Sequence, residues 1–260
     1  MMLRAAAART APRLGRASSS AAEAFRHVVM QRRAAAAFDA TRDVSQTILE
    51  DVMQLTRRAP SSFNIQPWTC VLVRSAAQRE LVGRAALSES NRRRVMDAPL
   101  TAVFCADLEP AHALPRVKAE AVARGKDARQ VEDLELAVGY YATHGKLASL
   151  VKGVAANALS PVAPAPQPEG RKAWAYKSAM LAAQTYLLAA TAHGLATAPM
   201  EGFDAARLRA YLDVPARYAL PLVVATGYAP AESPEPPPSP RLDVADLFFE
   251  DRFGARPAAS

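Results

Sequence analysis

One stretch narrows the possible folds more than any other: AWAYKSAMLAAQTYLLAATAHGLATAPM, starting at Ala173. From Ala173 to Gly194 it is rich in alanine, the best helix former, and apolar on nearly every side. A helix of that kind must be covered all round. It is mostly Ala where a membrane span would be mostly Leu, and Gln184, Thr185, Thr191 and His193 interrupt it, so a buried helix fits better. Such a helix runs through the middle of a domain, or a second subunit covers part of it. Gly194 supplies the C-terminal stop. The 260 residues suit one large core around that helix.

The rest of the chain offers elements to cover it. Helical spacing runs from Ala22 to about Arg33 and from Ser45 to Arg58, where Ile48, Leu49, Val52 and Leu55 recur every three or four positions. Ala76–Ala86 predicts a short helix, residues 116–152 a charged helical region containing Tyr140 and Tyr141, and Asp204–Leu212 another helix. Strands are predicted at Thr69–Arg74, at Pro99–Asp107 and in LPLVVATGY. The prolines of SPVAPAPQPEG (160–170) enforce a loop. PAESPEPPPSP (230–240) predicts an extended polyproline-like arm, and the apolar RLDVADLFFEDRFG beyond it needs a surface to land on. No internal repeat and no domain boundary interrupts residues 23–254, which are read as one domain with residues 230–254 as its arm and 255–260 as a tail.

The net charge of +7 is concentrated at the start. Residues 1–22 hold Arg4, Arg9, Arg13 and Arg16 and no acid; without those four, 28 basic residues face 25 acidic ones. An acid-free, Arg-spaced, Ala- and Ser-rich leader has the character of an organellar transit peptide, mitochondrial in first place and plastid in second. The near-balanced remainder, with no aromatic-basic interleaving, argues against nucleic acid as partner. Cys70 and Cys105 lie in apolar runs and read as buried free thiols. The four histidines (27, 112, 144, 193) show no metal-ligand spacing.

Against this apolar background stand polar islands: QRRAAAAFD (31–39), PSSFNIQPW (60–68), NRRRVMDAP (91–99) and PMEGFD (199–204), with Arg241 after the proline arm. Arg32, Arg33, Arg94 and Arg241 are fork-shaped donors suited to phosphate and ring carbonyls. Asn64 and Asn91 both give and accept hydrogen bonds, as amide-bearing heterocycles require. Gly202 lets a backbone N–H approach a ligand closely. No nucleophile elbow, GxGxxG, P-loop or HExxH occurs.

In this order and at these distances the islands resemble the FMN-dependent nitroreductase family, most closely its oxygen-insensitive NAD(P)H type, over roughly residues 26–254. The resemblance implies an α+β sandwich: a mixed, mostly antiparallel sheet flanked by helices, with a long central helix at a homodimer interface and a C-terminal arm wrapping the partner. It implies that Pro60, Ser61, Ser62 and Asn64 line one side of FMN, with Phe63, Tyr140 and Tyr141 facing the substrate. Arg32 and Arg241 would bind the phosphate with Arg33 nearby, Asn91 and Arg94 would meet the pyrimidine edge, and Glu201 and Gly202 would sit by the reactive edge.

The activity implied is transfer of a hydride from NADH or NADPH through FMN to a flat electron-poor acceptor, a nitroaromatic or a quinone, by a ping-pong mechanism. The cofactor would carry the chemistry, with no catalytic side chain and no metal. The chain departs from the family at Ala34 and Ala36, where a serine and a cation are usual. It departs again at Ser178, where some relatives carry a glutamine, and at Ser239, where some carry a lysine. The alternatives are another enzyme of the flavin superfamily (deiodinase-like or flavin-fragmenting) and a non-catalytic FMN-binding protein.

Overall fold

The computed structural model of the chain describes residues 18–141, 146–164, 170–232 and 239–255. Among these it forms ten helices and four strands: α1 (Ser18–Gln31), α2 (Gln46–Thr56), β1 (Trp68–Val73), α3 (Ala76–Arg84), α4 (Glu89–Asp97), β2 (Leu100–Asp107), α5 (Leu114–Ala123), α6 (Ala128–Tyr141), α7 (Lys146–Leu159), α8 (Arg171–Ala192), β3 (Ala196–Met200), α9 (Ala205–Tyr211), β4 (Tyr218–Gly227) and α10 (Val244–Leu247). Serine starts three of the helices in the same way. Ser45, Ser75 and Ser88 each accept the backbone N–H three residues on, from Ile48, Gln78 and Asn91, satisfying a donor that a helix start leaves free.

The sheet runs in the order β1-β2-β4-β3, and all three strand pairings are antiparallel. Its one parallel element is a bridge between Ala34 and Thr197 on the outer edge of β3, where Ala35 N–H donates to Thr197 C=O at 2.8 Å. The central strands are buried on both faces, so alternate residues serve different cores. Ala102, Phe104, Leu222 and Val224 pack with α2 and α8, while Val103, Cys105, Val223 and Ala225 pack with residues of α3, α4 and α9.

Two prolines sit where a strand tolerates them. The β2–β4 register slips between Phe104 and Ala106, which pair with Leu222 and Ala219. Pro221 lies in that bulge. Pro199 lies in the edge strand β3, two residues after Thr197, whose carbonyl points away from β4 toward Ala35. Backbone groups repeat every second residue, so Pro199 also turns its nitrogen outward and no ladder bond is lost.

Helix α8 carries the feature that dominated the sequence. Its alanines 175, 179, 182, 183, 189 and 190 are buried and bring its backbone close to the sheet. Tyr186 meets Phe104 edge-on (centroids 5.7 Å apart, planes at 76°) and donates its hydroxyl to Thr226 Oγ1 at 3.0 Å, deep in the core. Gly194, at φ 71°, takes the left-handed turn that ends the helix. Among the described residues cover all round is not reached, however: Lys177, Met180, Leu181 and Gln184 form an open stripe.

The predicted helix at 116–152 is three, broken by Gly125 at φ 80° and continuing past 152 to Leu159. Helix α4 and strand β3 go beyond what the sequence pattern predicts, since NRRRVMDAP and PMEGFD present themselves as polar islands. Residues 230–260 form a separate compact unit holding α10 and a Phe249–Phe253 contact (centroids 4.9 Å apart), with Leu242, Val244, Leu247, Phe248 and Phe253 exposed. The prolines expected to make an extended arm fall largely at 233–238, and part of the 160–170 loop at 165–169; both lie outside the described residues. No described helix is long and apolar enough to cross a membrane.

Candidate functional site

The structure joins Asn91, Arg94 and Gly202 into one corner. Ser88 starts α4 so that Asn91 and Arg94, three residues apart, share a face. Arg94 Nη1 donates to Asn91 Oδ1 at 3.0 Å. Asn91 Nδ2 reaches the Gly202 carbonyl at 3.4 Å, and the Leu87 N–H donates to that carbonyl at 3.0 Å. A Cβ at Gly202 would stand 3.0 Å from Asn91 Nδ2, so a side chain here would press on the Asn91 amide, while the backbone angle itself is ordinary. Glu201 beside it is exposed. The Arg94 Nε is buried without a hydrogen-bond partner, and no described carboxylate lies within ion-pair distance of the guanidinium. A buried donor left unmatched favours an acceptor-bearing ligand.

The loop from Pro60 to Pro67 is the second feature. Phe63, Asn64 and Gln66 all have φ between 52° and 55°, a left-handed conformation that costs non-glycine residues energy and persists only where the surroundings impose it. Ser61 Oγ accepts the Gln66 N–H at 2.9 Å, and backbone bonds close the turn from Asn64 to Ser61 (3.0 Å) and Ile65 to Ser62 (3.1 Å). Ile65 is fully buried and anchors it, while Ser62, Phe63 and Asn64 face outward, Phe63 at 39% exposure.

Helix α5 braces this loop, which the sequence did not reveal. Arg116 Nη2 donates to the carbonyls of Ile65 (3.1 Å) and Asn64 (3.4 Å), and Asn64 Nδ2 donates to Glu120 Oε2 at 3.0 Å. Only the Arg116–Glu120 spacing of four was legible, since their partners lie more than fifty residues away. The Arg116 hydrogen bond to Glu120 holds that carboxyl below the usual range, against an opposing desolvation.

Arg32 and Arg33 lie where the chain leaves α1 and meets β3 at Ala34, both half-buried. Phe38 is buried beyond them, the Asp39 N–H donates to the Tyr228 carbonyl (2.8 Å), and Arg42 stacks on the Tyr228 ring at 3.6 Å. Glu201 follows Thr197 by four residues, about 13 Å along the strand at ~3.3 Å per residue. Arg241 belongs to the 230–260 unit, where its Nη1 donates to the carbonyls of Ser239 and Pro240. Tyr140 is half-buried on α6 with Lys152 Nζ 4.7 Å from its ring, and the side chain of Tyr141 lies outside the described residues. Burial pushes the Cys105 thiol up to about 11 and raises Cys70 as well, so neither is poised as a nucleophile. Among the described residues no group of three or more His, Cys, Asp or Glu could hold a metal ion.

The nitroreductase family model matches residues 29–228. A protein named NADH dehydrogenase from Thermus thermophilus is 34% identical over 202 residues, 77% of this chain and 83% of its own. The chain belongs to the nitroreductase family. The oxygen-insensitive NAD(P)H nitroreductase of Salmonella typhimurium is 27% identical over 222 residues, covering 79% of this chain and 88% of its own. Among solved structures, a nitroreductase family protein from Streptococcus pneumoniae superposes with a TM-score of 0.68 at 22% identity, covering 88% of this chain and all of that one. A candidate nitroreductase from Exiguobacterium sibiricum in complex with FMN gives 0.64 at 20% identity, covering 86% and 95%.

The residues present fit the family's cofactor. FMN is an anion carrying a ring of amide donors and acceptors. Here a guanidinium with a buried unmatched Nε, a side-chain amide and a glycine meet in one corner, with two further arginines at the far end of β3.

Proposed function

We propose that the protein transfers a hydride from NADH or NADPH to a flat electron-poor acceptor, a nitroaromatic or a quinone, in two alternating half-reactions at one shared position. The observation that carries this is the Asn91–Arg94–Gly202 corner with its uncompensated cation. As a nitroreductase, the chain is an oxidoreductase that uses FMN and a nicotinamide cofactor. When bound, FMN supplies the two-electron chemistry. Arg32 and Arg33 neutralise its phosphate, Asn91 pairs with an amide edge, and Arg94 offers positive charge where a reduced ring would gather negative charge. Gly202 keeps the backbone close, and Phe63, Tyr140 and Tyr141 stack the acceptor.

The working unit of the proposal is a homodimer. Strands β1 and β3 are the two edges of the sheet, three strand spacings or about 14 Å apart. The Ser61–Asn64 loop leads into β1, and Glu201–Gly202 follow β3. Asn64 is tied to α5 beside one sheet edge and the arginine corner adjoins the other, and on this reading a two-fold copy brings the two halves onto one ligand. The open stripe at Met180 and Leu181, and the exposed apolar residues near α10, give that copy surfaces to cover. Residues 1–22 are proposed to direct the chain to an organelle, the mitochondrion first; a native N-terminus near residues 17–24 by mass spectrometry is expected.

The test is the absorbance spectrum of purified protein before and after NADH or NADPH without oxygen, followed by reoxidation with a quinone. A yellow protein bleached by nicotinamide and restored by quinone, with parallel lines in double-reciprocal plots, is expected. A colourless protein that takes up no FMN overturns the reading, and a yellow one that NAD(P)H never bleaches reduces it to a binder.

A further inference from the structure

The loop that should touch the cofactor is held by a side chain from another part of the fold. Asn64 Nδ2 lies 3.0 Å from Glu120 Oε2, and Arg116 Nη1 occupies the other carboxylate oxygen at 2.6 Å. A carboxylate only accepts hydrogen bonds, so the nitrogen of the Asn64 amide must be the atom turned toward it. Asn64 Oδ1 is thereby held on the other side, where it accepts from Gln66 Nε2 at 3.2 Å and keeps a second lone pair. Arg116 meanwhile bonds the carbonyls of Asn64 and Ile65, inside the run of left-handed residues.

From this geometry we propose that Glu120, set by Arg116, is a positioning residue that fixes the Asn64 amide with its oxygen outward, so that the loop offers an acceptor to a ring N–H of the bound ligand. The inference rests on the flavin reading for the identity of that ligand. Glu120 itself touches no reacting atom. Its work is to remove the choice between two amide faces and to hold a strained turn in one conformation, so that less ordering remains to be done on binding.

The test exchanges the roles of the two side chains. Asn64→Asp sets two carboxylates against each other and should weaken FMN binding more than tenfold. Adding Glu120→Gln restores a donor–acceptor pair in reverse. The amide introduced at position 120 then donates, the carboxylate introduced at position 64 accepts, and an oxygen still faces the ligand. The double variant should therefore recover to within about threefold of the wild type, as expected when contacting residues couple. A double variant as weak as Asn64→Asp alone, or weaker, overturns the proposal. Backbone amide exchange at Asn64 and Ile65 in the flavin-free protein provides the second readout. Glu120→Ala should speed it at these two positions while the core strands stay protected, and unchanged exchange also overturns the brace. Failure of the wild type to bind FMN at all would sink the flavin reading instead, and the exchange measurement would still decide on Glu120.

Discussion

Gly227, the last residue of β4, offers the sharpest stability test in the molecule. A Cβ placed there would stand 2.5 Å from Pro99 Cδ, 3.1 Å from Pro99 Cγ and 3.3 Å from Phe38 Cδ1. Carbon atoms prefer about 3.5–4.0 Å, so the nearest contact is too short by about 1 Å. Neither neighbour can swing away: Pro99 is a ring fused to the backbone, and Phe38 is buried. Gly227→Ala must therefore shift backbone, which typically costs about 1–3 kcal/mol. For a chain of this size that is roughly 2–12 °C of melting temperature. Displacing Phe38 should also disturb the segment carrying Arg32 and Arg33, so FMN affinity should fall with stability. Gly153→Ala is the control: within α7 nothing lies within 4 Å of its Cβ, and alanine replaces the poorer helix former there. Calorimetry of both variants should show Gly227→Ala clearly lowered and Gly153→Ala equal or raised. An unchanged melting temperature for Gly227→Ala would refute the reasoning.

Arg94→Ala and Arg32→Ala should each weaken FMN by about ten- to a hundredfold, roughly 1.5–3 kcal/mol for a charge-assisted contact; fluorescence titration measures this, and unchanged affinity in both would place the phosphate and the ring edge elsewhere. Tyr186→Phe should destabilise by about 1–2 kcal/mol, read from denaturant midpoints, because Thr226 Oγ1 is left buried without the donor it now has. Glu120 has a folded pKa below its unfolded one, chiefly through Arg116, so its contribution is present above the unfolded value of about 4.3 and is lost as pH falls through the lower folded value. Protection against amide exchange in the 60–66 loop, relative to the intrinsic rate at each pH, should accordingly fall on acidification below about pH 4 in the wild type and show no such step in Glu120→Gln. Ala36→Lys should raise the midpoint potential of bound FMN in a redox titration; an unchanged potential would mean that another cation already serves there.

What the sequence revealed follows from how local each signal is. Helix α8 announced itself because twenty-two residues of alanine-rich pattern carry one message, and α2 because its apolar spacing and Ser45 agree. Strand β3 stayed hidden because ATAPM is short and contains a proline, a residue that argues against a central strand; only the topology shows that it is an edge. Helix α4 was masked because Arg92, Arg93 and Arg94 read as a charged island, although Ser88 and Glu89 formed a serviceable start. The corner of Asn91, Arg94 and Gly202 was legible as residues but not as contacts, since Asn91 and Gly202 are 111 positions apart. The Glu120 brace was illegible for the same reason.

The four alanines at 34–37, where the resemblance leads one to expect a serine and a cation, occupy a position where fold and chemistry separate. Ala35 packs into the core beneath it, whereas Ala34, Ala36 and Ala37 are exposed. The segment is fixed by backbone bonds from Ala34–Ala35 to Thr197 and by Phe38 further on, none of which involves the side chains at 34 and 36. A serine and a cation at these positions would add nothing that the fold depends on. A surface cation beside a ligand acts instead through its charge, which at partial exposure changes binding and potential by modest amounts. Chains of this architecture can therefore vary positions 34 and 36 without disturbing β3, α4 or the loop at 60–67. On the proposed reading the burden of stabilising negative charge on the ring would fall on Arg94, whose guanidinium is held by Asn91 and neutralised by no described carboxylate.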